Sequence, residues 1–408
     1  MPKLKNPDVI VIGAGPAGAA ASAYLNNQGY KVLVLEKQQF PRFVIGESLL
    51  PNCMNFLEEA GLLQAIKKDD FQVKTGASFH KGEKRCDFFF SEQYTEGWSW
   101  SWQVQRKDFD HKLTKEAERQ GVEVMFETEV LDATTSADIQ TVSFKDSNGK
   151  TEKITCKFII DASGYGRVLP RLFDLNKPSS LKVRGSIFTH VEDKKRNDLA
   201  NNNIFVHSFD NNESWFWAIP FSNKTASIGV VALNERIEEF SKDRGKKFID
   251  FIRTFPDLKD RFSDCEVLFE PKTIYGFSIG IKKMHGEGYV LCGNSTEFLD
   301  PIFSSGVTLA VGSAVIAAKL VDKQLSNEKV DWERDYDTLL QNGIDVFRSY
   351  IDAWYDGTLE TIIFAKQIDQ GRKNQICSVL AGYVWDETNP FVKKHKTLLT
   401  TLAKVVSM

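Results

Sequence analysis

Hydrophobic positions along the chain switch between a strand-like and a helix-like period. Residues 8–36, DVIVIGAGPAGAAASAYLNNQGYKVLVLE, hold an apolar run, a glycine turn, an Ala-rich segment ending near Gly29 and a second apolar run. This predicts strand, helix and strand, a βαβ unit. Residues 47–70 carry a helical period, and 71–104 alternate around a KGE turn, which predicts antiparallel strands. A helix over 107–120, a strand over 122–131, a polar hairpin around Asp146 to Lys150 and an apolar strand ending in IIDASG follow. Strands and turns return from 180 to 235, with Asn-rich corners at 201–203 and 211–212. A helix over 236–254, a short buried strand over 288–292 and an Ala/Val-rich helix over 305–325 come next, and the pattern stays helical from 330 onward with no proline until Pro390. In the run ESWFWAIPF, side chains of an extended chain alternate, so Trp215, Trp217 and Ile219 share one face while Phe216 and Ala218 share the other. The stretch therefore presents an aromatic wall, and what stands opposite decides its role.

Composition narrows the classes. A chain of 408 residues exceeds one ordinary core, which implies two or three packed units, and the lack of repeats or low-complexity linkers implies that they interleave. A net charge of −3 offers no electrostatic case for nucleic acid or an anionic membrane surface. Six cysteines without C-x-x-C or zinc-like spacing read as reduced thiols, with no disulfides. His80, His111, His190, His207, His285 and His395 are dispersed without metal spacing and read as structural or surface residues, so no metal site is expected. The amino-terminal apolar run is shorter than a signal segment, and no stretch is expected to span a membrane, which makes the cytoplasm the expected compartment.

Gly13-Ala14-Gly15-Pro16-Ala17-Gly18 forms G-x-G-x-x-G directly between an apolar strand and a helix. The first glycine permits the tight turn, the second lets the backbone approach a pyrophosphate, and the third brings helix and strand close. The helix start then faces the phosphate charge. Glu36 closes the second strand, where a carboxylate accepts hydrogen bonds from ribose hydroxyls and disfavours a 2′-phosphate. A dinucleotide is thus expected here.

Two distant segments say which one. IIDASGYGRVLPR at 159–171 resembles the D-G segment of FAD-dependent enzymes of the p-hydroxybenzoate hydroxylase type, with Asp161 and Gly164 in the matching places. GYVLCGNSTEFLDPIFSSGVTLA at 288–310 resembles their second flavin segment, with Gly293-Asn294 where Gly-Asp is usual; the Asn294 amide oxygen can still accept from a ribityl hydroxyl. Asp300-Pro301 and Ser304-Ser305-Gly306-Val307 precede a long helix whose first amides would face the flavin pyrimidine edge. Arg106, in VQRKDFD, matches an arginine near the flavin in this group, and it shares strand parity with Trp98, Trp100, Trp102 and Val104; taken alone, a solvated arginine at a strand end reads equally well. The resemblance adds Lys37, Ser48 and Val130 to the cofactor contacts. It implies an α/β Rossmann-like FAD-binding domain made of 1–70, 101–178 and 270–325, an antiparallel β-sheet substrate domain of 71–100 and 179–269, and a helical region over 326–408.

FPRFVIGESLLP at 40–51, DPIFSSGV at 300–307 and WFWAIP together resemble flavin-dependent halogenases of the phenol and pyrrole type, over roughly residues 8–325, with WERDYDTLL and DAWYDG extending the likeness into the tail. No second G-x-G-x-x-G marks a nicotinamide domain, so either NAD(P)H visits briefly or another protein supplies the electrons. The resemblance implies a two-component enzyme, in which a separate NAD(P)H-dependent flavin reductase supplies reduced FAD, and oxygen and halide complete the reaction on an electron-rich aromatic, free or carrier-bound. Trp215 and Trp217 would keep the substrate off the flavin, a halide would rest on the amides of Ser305 and Gly306, and Lys74 would hold the hypohalous acid. Lysine suits this role because a desolvated amine becomes neutral and nucleophilic, whereas arginine stays charged. Phe71, Val73, Phe79 and Phe88 to Phe90 could desolvate Lys74, although by itself a lysine between Val and Thr reads as a surface strand residue. Lys81 belongs in the hairpin turn, and Phe303, where tryptophan halogenases carry glutamate, argues against an indole substrate. Geranylgeranyl reductases carry a related aromatic string, so an FAD-dependent reductase or dehydrogenase acting on an apolar unsaturated substrate stays open.

Overall fold

The computed structural model describes residues 4–196, 202–256 and 258–408. Asn201, part of one expected Asn-rich corner, lies outside them. The runs VIVI (Val9–Ile12) and VLVL (Val32–Leu35) are buried at every position. That is the signature of strands covered on both faces, and they pair in parallel. Phe158–Asp161 and Tyr289–Leu291 continue the sheet on one side and Glu123–Met125 on the other, with His285–Gly286 as an antiparallel edge. The helices Pro16–Asn27 and Ser305–Leu325 pack against each other beside it. A three-stranded sheet of Glu129–Thr134, Gln140–Lys145 and Thr151–Cys156 closes one end.

The second large sheet has seven strands in the order Lys272–Tyr275, Arg184–Glu192, Thr225–Leu233, Ser214–Pro220, Ile204–Phe209, Gly76–Lys81 and Lys84–Phe89. Its strand at 272–275 extends it a few residues beyond the expected boundary at 269. The two faces of this sheet enter different cores. Trp215, Trp217 and Ile219 join the main core shared with the parallel sheet, whereas Phe216, Ala218, Ile228 and Val230 pack under the helix Asn234–Thr254. The alternation read from ESWFWAIPF is the one observed. Past residue 330 the chain is helical, including Leu339–Tyr355, Gln370–Leu380 and His395–Val406. All six cysteines are free.

Three expectations need correction. The helical span 47–70 is two helices, Asn52–Glu59 and Leu63–Ile66, interrupted where Gly61 takes φ +74°, and residues 47–51 precede them outside any helix. The strand parity linking Arg106 to Trp98, Trp100 and Trp102 does not exist: the strand is only Ser101–Gln103, and Arg106 opens the helix Arg106–Gln120 behind an extended Gln105. Finally, Ser305–Leu325 is long and apolar enough to cross a membrane by length and composition. Its apolar face is used internally instead, against Pro16–Asn27 and Asn52–Glu59, and Val311, Ala314, Val315 and Ala318 are fully buried.

Candidate active site

The glycine loop forms because two of its positions admit no side chain. A Cβ on Gly13, at φ +97°, would lie 2.7 Å from the Ala162 carbonyl oxygen, and one on Gly18 would lie 1.9 Å from the Gly13 carbonyl oxygen. Gly15 is different: its nearest neighbour would be Arg42 Nη2 at 3.4 Å, which leaves the backbone bare towards a cavity. Pro16 then starts the helix. Glu36 turns back on the loop, accepting from the Ala14 amide at 2.8 Å and the Gln38 amide at 2.9 Å. Each oxygen keeps a free lone pair for a sugar hydroxyl.

The cavity measures about 460 Å³. Gly13, Gly15, Pro16, Ala17, Glu36, Lys37 and Val130 line it. So do Ser48, Arg106, Gly164, Gly293, Asn294, Pro301, Gly306 and Val307, and Trp215 and Trp217 add an aromatic wall. Ala14, Gly18, Asp161, Asp300, Ser305 and Lys74 are not on its surface. Asp161 works behind it: Oδ1 accepts from the Ser163 amide at 2.8 Å and the Ser295 hydroxyl at 3.0 Å, and Oδ2 accepts from the Leu169 amide at 2.7 Å. Burial nevertheless pushes its acidity down, raising the pKa above the usual carboxylate value. Both oxygens thus brace the loop that carries Gly164. The corner residue Ser304 adopts φ +58° and hands over to the buried Ser305 at the helix start.

Arg106 is held on all sides. Its Nε and Nη2 donate to the two oxygens of Asp110 at 2.7 and 2.9 Å, and Nη1 donates to the carbonyls of Ile45 and Gly46 at 3.3 and 3.2 Å. Asp110 also takes Arg42 Nη1 at 3.0 Å, so one buried carboxylate fixes two cations. Sequence reading passed over Arg42, whose signal was a lone cation inside the apolar FPRFVIG. It also passed over Glu47, which lines the cavity and meets His190 Nε2 at 2.9 Å. His190, read as structural or surface, is therefore a buried partner of a cavity carboxylate. The second oxygen of Glu47 and the hydroxyl of Ser48 are buried without any hydrogen-bond partner, as expected of groups that await a polar ligand. A bare backbone approach, an acidic clasp and orphaned polar atoms along one elongated cavity fit a dinucleotide cofactor.

The indoles and the lysine are each held by the protein itself. Trp215 Nε1 donates to Tyr355 Oη at 3.0 Å and Trp217 Nε1 to Ser227 Oγ at 3.2 Å. Lys74 is 1% exposed; its Nζ donates to the Leu49 carbonyl at 2.9 Å, and the Ser101 hydroxyl donates to the same carbonyl at 2.9 Å. Its ammonium faces the Phe90 ring 5.5 Å from the centroid. Val73, expected to shield it, is itself 42% exposed. Burial pulls the Lys74 amine down to about 7. Lys81, by contrast, ends its strand at the Gly82 turn, as expected, and is paired with Glu360. Phe79, Phe303 and Trp354 fill a neighbouring space with ring centroids 5.6 to 6.3 Å apart. Among the described residues, His285, Glu333 and Asp337 bring potential ligand atoms within 4.8 Å of one another; none of the three lines the cavity.

Residues 6–254 match the family described as FAD binding domain, and the chain belongs to it. It is an FAD-binding flavoenzyme, similar to flavin-dependent halogenases. The chain is 49% identical to a solved flavoprotein/dehydrogenase from Cytophaga hutchinsonii, with a TM-score of 0.96 and 99% of each chain covered. It is 27% identical over 405 residues to a 1H-pyrrole-2-carbonyl-[peptidyl-carrier protein] chlorinase from Pseudomonas fluorescens, covering 93% of this chain and 89% of the relative. A triple mutant of the flavin-dependent brominase Bmp2 superposes with a TM-score of 0.82 at 26% identity, over 96% of this chain and 99% of the brominase.

Proposed function

We propose that this chain is a two-component FAD-dependent halogenase acting on an electron-rich aromatic, free or attached to a carrier. The observation that carries this reading is the pairing of an open cavity walled by Trp215 and Trp217 with a lysine, Lys74, that is 1% exposed and lies off the cavity's surface. When bound, reduced FAD would supply two electrons to dioxygen, and cleavage of the oxygen–oxygen bond by halide would give hypohalous acid and water. The chain's own residues would do the rest. Gly13, Gly15 and the start of the helix at Pro16 would seat the pyrophosphate, and Glu36 the ribose. The amides at Ser305 and Gly306 would hold a halide, since they open a 21-residue helix beside the cavity. The indoles would exclude the organic substrate from the cofactor. An amine lowered to about 7 is substantially unprotonated at neutral pH, so Lys74 could hold hypohalous acid by a hydrogen bond or take the halogen onto nitrogen. A separate NAD(P)H-dependent flavin reductase would deliver the reduced cofactor.

The purified protein supplied with reduced FAD, oxygen and bromide should brominate monochlorodimedone. No bromination, with FAD bound, would end this reading. The seal around Lys74 and the relative described as a dehydrogenase favour one other activity, reduction of an apolar unsaturated substrate, which an anaerobic assay with reduced FAD and a polyprenyl compound would reveal.

A further inference from the structure

Three side chains from distant parts of the sequence form a directional chain at the wall. An indole N–H can only donate, so Trp215 must use a lone pair of Tyr355 Oη, and the single proton of that hydroxyl is then free for Asp300 Oδ2, 2.8 Å away. Asp300 Oδ1 accepts from the Ile302 amide at 3.0 Å, which fixes the turn leading to Ser304 and the cavity-lining Gly306. The Tyr355 ring is held as well: the Arg184 guanidinium lies 3.5 Å from its centroid, and Arg184 is anchored by Glu213 at 2.9 Å. Tyr355 ends the helix Leu339–Tyr355, outside both large sheets.

We propose that Tyr355 is a positioning residue, whose hydroxyl ties the Trp215 indole to Asp300 and so makes the carboxy-terminal helices part of the geometry of the cofactor cavity. This rests on the reading that Trp215 walls the flavin end. The order of donors and acceptors gives the device its logic. An ionised Asp300 accepts strongly, because hydrogen bonds to a charged oxygen are about twice as strong as neutral ones. A neutral Asp300 accepts weakly and slackens the indole. The charged groups facing the hydroxyl are Asp300 and Arg184, and burial lifts Asp300 to about 6, so the chain would loosen on mild acidification.

The test is fluorine NMR of the holoprotein labelled with 5-fluorotryptophan, with the Trp215 resonance assigned by Trp215→Phe. Tyr355→Phe keeps the ring under Arg184 and removes only the hydroxyl. It should move or broaden the Trp215 line by more than the wild-type linewidth, leave the lines of tryptophans other than the neighbouring Trp217 and Trp354 in place, and abolish the inflection that the wild-type Trp215 line shows as pH falls through about 6. A Trp215 line unchanged in Tyr355→Phe, at matched thermal stability, would overturn the proposal. Tyr355→Leu, which also loses the ring, should give at least the same displacement; a normal Trp215 line there would also overturn it. None of these readouts depends on bromination, so an inactive enzyme with the expected spectra would refute the halogenase reading alone.

Discussion

The cofactor cavity and the surroundings of Lys74 are built on opposite principles. On the cofactor side, glycine backbone, orphaned polar atoms and fixed cations surround a ready-made cavity. Lys74, by contrast, is buried beside the Phe90 ring with its amine already satisfied by a carbonyl. The contrast teaches that the cofactor needs only to be admitted, whereas for the proposed role the lysine would first have to be uncovered. Preformed polarity recruits; enclosure tunes reactivity.

The largest expected effect falls on Lys74. Lys74→Ala should lower bromination by roughly 10²- to 10⁴-fold, the range for one positioned acid, base or nucleophile, while the FAD absorbance of the holoprotein is retained. A variant that keeps turnover would erase the distinction between the two regions. The second effect is one of pH. Because the folded-state pKa of Lys74 lies below its unfolded value of 10.5, at about 7, the unfolded chain holds the extra proton between those values and stability must rise with pH across them. Urea unfolding of the wild type should gain about 2 kcal/mol more than Lys74→Met between pH 7 and pH 9. On the cofactor side, Gly18→Ala would place a methyl 1.9 Å from the Gly13 carbonyl oxygen. It should cost about 1–3 kcal/mol of stability and deplete bound FAD, read by thermal denaturation and visible absorbance. The smallest change is Trp217→Phe, which removes the bond to Ser227 and should shift the urea midpoint by about 1 kcal/mol in stability.

What the sequence made legible divides along the same line. The G-x-G-x-x-G turn, Glu36 and the Ser305–Leu325 helix were readable because local spacing dictates local backbone, and the wall was readable because strand parity held through seven residues. Arg106 shows where parity fails. Three alternating tryptophans suggest a strand, yet the chain turns at Gly97, at φ +144°, and pairs only over Ser101–Gln103. Arg42 and Glu47 were invisible as site residues because their meaning comes from Asp110 and His190, 68 and 143 positions away. The same holds for Asp161 and Asp300: motif likeness finds the position, and only the fold reveals that their oxygens are engaged with the protein.

One carbonyl beside Lys74 has a mechanical consequence. The Leu49 oxygen is shared between Lys74 and Ser101, so it never depends on the amine alone. Were the lysine to move in the proposed chemistry, the serine hydroxyl would stay behind as the oxygen's understudy, and the interior would be spared a stranded acceptor.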